Sequence, residues 1–155
     1  MKNKTAVKEL VITKIIDAPR EVVFKTWINQ NLMAQWFGPK NYTTPICVLD
    51  AQPDGDMYLE MEDPDGNRYP MKGTFEEIEE PERIVFTASA FEDEEGNAKL
   101  IHRSTVTFKD ENGGTKMTLN VVVLRADPSI KEALSGMKQG WSQSFDKLAD
   151  LMAEI

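Results

Sequence analysis

The sequence predicts an α+β fold, in which a long C-terminal helix packs across a curved antiparallel sheet of about six to seven strands. From Tyr42 to Leu124, runs of alternating apolar and polar residues are separated by clusters of Gly, Pro, Asn and Asp, a pattern typical of strands joined by short turns. Near the C-terminus, apolar residues recur at intervals of three and four, which places them on one face of a helix. The helical set is Leu134, Met137, Trp141, Phe145, Leu148, Met152 and Ile155.

The N-terminal part predicts one strand and two short helices. The segment from Val7 to Ile16 is rich in β-branched residues and predicts the first strand. Asp17-Ala18-Pro19 ends it, and Pro19 suits the first position of a helix. A second helix is expected to begin near Asn29 and to end at Gly38-Pro39, where glycine and proline form a typical stop.

The last element is predicted as one continuous helix that begins at Asp127-Pro128 and reaches the chain end. About 27 residues at 1.5 Å each give a helix of roughly 40 Å. Ten-residue strands span roughly 33 Å. The helix is therefore long enough to cross the whole sheet and to bury its apolar face there.

Composition limits the classes of function. A chain of 155 residues fits one domain, residues 1–155, with a single core. The net charge of −8 disfavours binding to nucleic acid and to anionic membranes, since both need a basic surface. No run approaches the roughly 18 apolar residues of a membrane span. A lone cysteine, Cys47, fits a reducing compartment, so we expect a cytoplasmic protein.

Motifs for catalysis, metals and cofactors are not found in the sequence. His102 and Cys47 are the only histidine and the only cysteine, which makes a transition-metal site improbable. Asp54-Gly55-Asp56 and Asp63-Pro64-Asp65-Gly66 lack the spacing of a calcium loop and predict β-turns. Nucleotide-binding loops and nucleophile elbows are absent as well. We therefore predict no metal, no cofactor and no catalytic residue, and we interpret Cys47 as an inert core residue.

An ordered series of motifs nonetheless resembles the START-like (SRPBCC) superfamily. Its closest branch is that of the activator of heat-shock-protein-90 ATPase homologues. The matching runs span almost the whole chain: Ala18 to Phe24, Leu32 to Pro39, Gly73 to Ile78, Pro81 to Phe86, Thr105 to Phe108, Gly114 to Leu119, and Gly140-Trp141. One departure is Trp36-Phe37, where the family often has two tryptophans, and we expect it to alter only the shape of the pocket.

The resemblance implies a helix-grip fold, with a curved sheet around the C-terminal helix and a ligand cavity between them. Members of the superfamily include lipid and hydrophobic-ligand binders, polyketide cyclases, a drug-sequestering protein and chaperone-associated domains. Fold alone does not fix function. Three hypotheses follow: a protein that binds a small apolar or aromatic ligand, an enzyme of cyclase or hydrolase type, or a chaperone-associated stress protein. A homodimer is left open.

The ligand-binding hypothesis names its own candidate residues. Strand alternation places His102 in phase with Ser104, Val106 and Phe108, so we expect it to face the helix-covered side of the sheet. There it could orient a polar group of the ligand, with Ser104 or Arg103 at the rim, or act as a general base near neutral pH. The alternative is a structural or solvent-facing histidine without either role. The full set of pocket candidates is Trp36, Phe37, Met61, Phe86, His102, Ser104, Met137, Trp141 and Phe145.

Overall fold

The computed structural model describes residues 9–154 and contains seven strands and four α-helices. The strands are β1 (Glu9–Ile16), β2 (Thr43–Leu49), β3 (Asp56–Glu62), β4 (Arg68–Glu79), β5 (Arg83–Glu92), β6 (Ala98–Glu111) and β7 (Gly114–Ala126). They form one curved antiparallel sheet in the order β1-β7-β6-β5-β4-β3-β2. The helices are α1 (Arg20–Ile28), α2 (Gln30–Trp36), α3 (Lys131–Ser135) and α4 (Met137–Glu154). The predicted helix-grip fold is confirmed.

The turns between β2 and β7 fall where the Gly, Pro, Asn and Asp clusters predicted them. Two of the tightest contain Gly66 and Gly113, which adopt φ angles of +87° and +86°. That left-handed conformation is accessible to glycine without a steric penalty. Local turn chemistry therefore determines where each strand ends.

The first two helices begin within a residue of their predicted starts. Pro19 is the N-cap of α1, with φ −60° and ψ 146°, and so lies one residue before the predicted position. Asn29 caps α2 by accepting a hydrogen bond from the backbone N–H of Leu32 at 3.1 Å. Val7 and Ile155, the predicted ends of the first strand and last helix, lie outside the described residues.

The predicted continuous C-terminal helix is wrong in its first third. Pro128–Ile130 form a 3₁₀ turn, Lys131–Ser135 form α3, and Gly136 separates α3 from α4. Glycine in a helix interior costs about 1 kcal/mol relative to alanine, which favours an interruption at Gly136, whereas Gly140 remains helical within α4. The 18 residues of α4 span roughly 27 Å. None of the helices within residues 9–154 is long and apolar enough to cross a membrane.

The main core lies between the sheet and the helices α1, α2 and α4. Its centre is Trp27, whose indole N–H donates to the sulfur of Met117 at 3.3 Å. The ring centroids of Trp36 and Phe86 lie 4.8 and 6.4 Å from that of Trp27. We call this face of the sheet the inner face. The aromatic rings that pack around Trp27 with at most 1% exposure are Trp36, Phe86, Phe108 and Phe145.

Candidate ligand-binding cavity

The inner face opens where two hairpins separate. β4 pairs with β5 only as far as Met71 and Ala90. Beyond that point β4 remains paired with β3 as far as Arg68, and β5 remains paired with β6 as far as Glu92. The β3–β4 and β5–β6 hairpins therefore diverge, and the space between them leads into a cavity of about 790 Å³.

The cavity reaches from the inner face through this gap to the outer surface. Met71 faces the core, so its neighbour Lys72 faces outward, because successive residues of a strand point to opposite sides. Lys72 nevertheless lines the cavity together with Ser89, its partner on β5. The side chains of Lys72 and Glu92 meet across the gap, with Nζ 3.2 Å from Oε2.

The interior of the cavity is mostly apolar. Its walls come from the end of α2, from β3 to β6, and from the start of α4. Methionine is prominent among them, and its flexible thioether side chain adapts to irregular shapes. The apolar lining residues are Phe37, Met61, Met71, Ala90, Phe91, Leu100, Met137 and Trp141.

Phe91 lies at the gap in an unusual backbone conformation. Its φ of +58° is in the left-handed region, which bulky side chains rarely adopt. Such a conformation costs on the order of 1–3 kcal/mol and persists where surrounding structure holds it. Strained residues of this kind cluster at ligand-binding and active sites, and Phe91 lines the cavity.

His102 is the buried polar residue at the base of the cavity. It is 4% exposed, and its Nδ1 lies 3.0 Å from the hydroxyl of the fully buried Ser104. Burial lowers the pKa of His102 to about 4, so the imidazole is neutral at pH 7. Among the described residues, Nε2 has no hydrogen-bond partner and is the ring nitrogen left for a group inside the cavity.

The segment from Phe37 to Tyr42, which we call the α2–β2 loop, forms another wall. α4 holds it through side-chain oxygens that accept hydrogen bonds from the loop backbone. The N–H of Gly38 donates to the hydroxyl of Ser144 at 3.1 Å, and the N–H of Lys40 donates to Gln143 at 3.1 Å. Ser144 lines the cavity, so one side chain both supports the wall and is part of it.

Lys147 anchors the same loop from below. Its ammonium donates to the carbonyl oxygens of Gly38, Pro39 and Tyr42 at 3.1, 3.4 and 3.2 Å. Partial burial lowers the pKa of Lys147 from its ordinary value. A single cation thus satisfies three backbone acceptors that would otherwise face each other at the end of α2.

Tyrosines surround the outer rim of the cavity. The rings of Tyr42 and Tyr69 lie 5.9 Å apart. The hydroxyl of Tyr69 donates to Asp63 at 2.9 Å, and this hydrogen bond raises the pKa of Tyr69 to about 12. The hydroxyl of Tyr58 donates to Glu60, which raises the pKa of Tyr58 and lowers that of Glu60.

Five of the nine predicted site residues line the cavity. These are Phe37, Met61, His102, Met137 and Trp141. Trp36, Phe86, Ser104 and Phe145 lie behind the lining, in the core, where each is at most 1% exposed. Ser104 contacts the site through its hydrogen bond to His102, and Phe86 packs edge-on against the imidazole, with ring centroids 6.3 Å apart.

The predicted place of Arg103 at the rim is wrong. Arg103 is exposed on the outer face and its guanidinium lies 3.0 Å from a carboxylate oxygen of Glu76. Strand alternation gives the reason, because His102 faces inward and its neighbour must face outward. Cys47, the other residue considered for chemistry, packs partly buried against the core, and burial raises the pKa of its thiol to about 11.

Sequence reasoning missed most of the rim. Ser144 could have been found, because it lies one turn after Trp141 on the face of α4 that also carries Met137. The rim residues had no such signal, since their alternation places several of them on the outer face. The missed lining residues include Tyr42, Tyr58, Arg68, Tyr69, Met71, Lys72, Ala90, Phe91, Leu100 and Ser144. Within residues 9–154, no group of three His, Cys, Asp or Glu side chains could hold a metal ion.

Residues 17–153 match the sequence profile of the family described as Activator of Hsp90 ATPase homolog 1-like protein. The match spans well over half of the chain. The chain belongs to this family. A comparison with curated proteins gave no significant match.

Solved structures share the fold over nearly the full length. A protein of Nitrosomonas europaea is 22% identical, with a TM-score of 0.78 and 94% of each chain covered. One from Arthrobacter aurescens is 21% identical, with a TM-score of 0.81 and coverage of 97% of this chain and 92% of that one. An AHSA1 protein of Silicibacter pomeroyi is 20% identical, with a TM-score of 0.76 and coverage of 94% and 98%. At these identities the similarity establishes the fold.

Proposed function

We propose that this protein binds a small, largely apolar ligand in the cavity between the sheet and α4. The observation that carries the proposal is the cavity itself, with its volume of about 790 Å³ and its lining of aromatic rings and methionines around one buried histidine. Ligand pockets typically measure roughly 300–1,000 Å³ and are apolar apart from a few placed polar groups. Family membership agrees with a fold that binds hydrophobic ligands.

Each part of the lining has a role in this proposal. The rings of Phe37 and Trp141 are almost perpendicular, at 89°, and their centroids are 5.7 Å apart. Together they form an angled apolar surface that a flat or branched apolar group can contact. Met61, Met71 and Met137 adapt to its outline. His102 orients a polar group of the ligand through Nε2, while Ser104 fixes the imidazole ring.

The surroundings of His102 favour binding over acid–base catalysis. A general base at neutral pH works best with a pKa near 7. The pKa of His102 is about 4 because the ring is buried, and its hydrogen-bond partner is the Ser104 hydroxyl rather than a carboxylate. A cyclase or hydrolase mechanism would need a second group to activate this histidine.

A ligand panel tests the proposal directly. Fatty acids, flavonoids, aromatic polyketides and N-phenyl-1-naphthylamine would be added one at a time, with the melting temperature and tryptophan fluorescence as readouts. A compound that binds only the folded state raises the melting temperature by mass action. Trp141 lines the cavity and should respond, whereas Trp27 and Trp36 are at most 1% exposed in the core.

A matched pair of variants separates the cavity from the protein surface. Ala90→Phe adds a ring inside the cavity, and Val48→Phe adds the same ring at a position 55% exposed on β2. We expect Ala90→Phe to weaken binding at least tenfold and Val48→Phe to leave it unchanged. If no compound changes either signal, or if both variants bind like the wild type, the cavity is not a binding site and an interaction role replaces it.

A further inference from the structure

The two cations at the rim of the cavity are already paired. Arg68 lies 3.0 Å from a carboxylate oxygen of Glu60 and 3.7 Å from one of Glu62. Lys72 lies 3.2 Å from a carboxylate oxygen of Glu92. An anionic head group that entered between the hairpins would have to displace one of these carboxylates before it met a free positive charge.

Carboxylates outnumber cations in and just behind this rim. Arg68, Lys72 and Glu92 line the cavity, whereas Glu60 and Glu62 lie behind it as partners of Arg68, and Asp63 accepts a hydrogen bond from the Tyr69 hydroxyl. Four carboxylates therefore surround two cations. Hydrogen bonds from the Asn67 side chain lower the pKa of Asp63, and the Tyr58 hydroxyl lowers that of Glu60, so both remain ionised at pH 7. The chain as a whole carries −8. From these charges we infer a negative potential around the rim.

The rim tyrosines present acceptors rather than donors. The hydroxyl protons of Tyr58 and Tyr69 are committed to Glu60 and Asp63, which leaves the phenolic lone pairs to accept a hydrogen bond. Aromatic ring faces also attract cations, and more strongly where the site is dry. Tyr42, with its ring beside that of Tyr69, adds a third such face.

The interior offers an anion no compensation. His102 is the ionisable residue of the deep wall, and burial holds its pKa at about 4, so it is neutral at pH 7. The remaining deep lining is apolar except for Ser144, whose hydroxyl accepts from Gly38 and donates to the carbonyl of Gly140 at 3.0 Å. A carboxylate buried here would pay the cost of desolvation without a counter-ion.

From these observations we propose that the ligand is an amphiphile with a hydrogen-bond-donating head that carries no negative charge, an amine being preferred. Its apolar part lies between Trp141 and the methionines, and its head lies at the gap between the β3–β4 and β5–β6 hairpins. This inference rests on the proposed ligand-binding function and names the ligand class for that site.

Three probes with the same ten-carbon chain test the head group. Decylamine, decanol and decanoate would be titrated at pH 7 below their micelle concentrations, with affinity measured by calorimetry. We expect decylamine to bind at least tenfold more tightly than decanoate, with decanol between them. A tenfold ratio corresponds to about 1.4 kcal/mol. Decylamine should bind with a stoichiometry of one, and Ala90→Phe should weaken it, since binding at the acidic surface would ignore the cavity.

Removal of one carboxylate tests the role of the rim pairs. Glu92→Gln leaves Lys72 without its partner and should raise the affinity for decanoate several-fold while it lowers that for decylamine. Glu94→Gln removes the same charge from an exposed position of the same hairpin that does not line the cavity. This control should change both affinities less than Glu92→Gln does, because the rim cation Lys72 pairs with Glu92 and not with Glu94.

The possible failures are distinguishable. If none of the three probes binds and no compound of the wider ligand panel binds either, the proposed function fails and the inference fails with it. Decanoate binding as tightly as decylamine would overturn the head-group inference and leave the proposed function intact. Equal effects of Glu92→Gln and Glu94→Gln, or decylamine binding that survives Ala90→Phe, would also overturn it.

Discussion

The inner face of the sheet has two halves that differ in how they are filled. The closed half surrounds Trp27, where this ring and four neighbouring rings, each at most 1% exposed, pack between the sheet and the helices α1, α2 and α4. The open half lies toward the tips of the β3–β4 and β5–β6 hairpins, where Met71, Ala90 and Leu100 line the cavity. Both halves belong to one sheet, so the difference comes from side-chain size and from the helices above them.

The difference in side-chain packing suits the two halves to different roles. Large rigid rings in the closed half leave no room for a ligand and bury large apolar surfaces, which stabilises the fold. Alanine, glycine and methionine in the open half leave space there. We infer that the closed half provides stability and that the open half provides ligand binding.

The largest expected effect comes from truncating the central ring. Trp27→Ala should lower the free energy of unfolding by about 3–5 kcal/mol, because it removes a fully buried indole that contacts five other rings. Trp141→Ala should cost less, near the lower end of that range, since one side of this 9% exposed ring borders the cavity. Urea denaturation measures both. Equal costs would mean that Trp141 belongs to the closed half.

A matched methionine pair sharpens the comparison. Met117→Ala creates a new void in the closed half and should cost about 2–5 kcal/mol. Met71→Ala only enlarges a space that is already open, so the cavity penalty is missing and the cost should stay near 1 kcal/mol. Chemical denaturation of the two variants and the wild type gives the two changes in the free energy of unfolding. A Met71→Ala cost as large as that of Met117→Ala would show that the open half is packed.

His102, the only histidine, makes the free energy of unfolding depend on pH, and the direction of this dependence follows from its pKa. The unfolded chain takes up a proton at His102 near pH 6.5, whereas burial delays uptake in the folded protein to about pH 4. Lowering the pH through this window therefore favours the unfolded state. From pH 7 to pH 4 the wild type should lose up to about 3 kcal/mol more stability than His102→Gln, at 1.36 kcal/mol per pKa unit.

Parallel denaturation curves at several pH values give the difference between the two proteins. Carboxylates titrate in both and cancel in that difference. Identical pH profiles would mean that His102 is solvated, and the base of the cavity would then be wet.

A smaller effect is expected at the loop that walls the open half. Lys147→Met removes three hydrogen bonds from an ammonium to backbone carbonyls and should cost about 1–2 kcal/mol. Amide exchange at Gly38 and Lys40 should accelerate, since α4 then holds the α2–β2 loop less firmly. Lys14→Met, which breaks the surface ion pair with Asp146, should cost under about 1 kcal/mol and leave those amides unchanged.

Local patterns made the fold predictable. Turn clusters marked the strand ends, and alternation placed His102 on the inner face beside Ser104, as the structure has it. Neither pattern carries information about where a ladder between two strands stops. The end of the β4–β5 pairing at Met71 and Ala90 depends on tertiary packing, so the gap and its rim could not be predicted. Gly136 is visible in the sequence, but an isolated glycine is often tolerated in a helix.

Methyl resonances of methionine test most directly whether ligand binding is confined to the open half. With ¹³C-methyl methionine in the protein, N-phenyl-1-naphthylamine would be titrated and the methyl signals followed by NMR. Met61, Met71 and Met137 line the cavity, whereas Met33 and Met117 lie in the closed half at most 1% exposed. We predict saturable shifts of the first three signals and none at Met33 and Met117. Shifts at Met33 and Met117 with the cavity methionines unmoved would contradict the account.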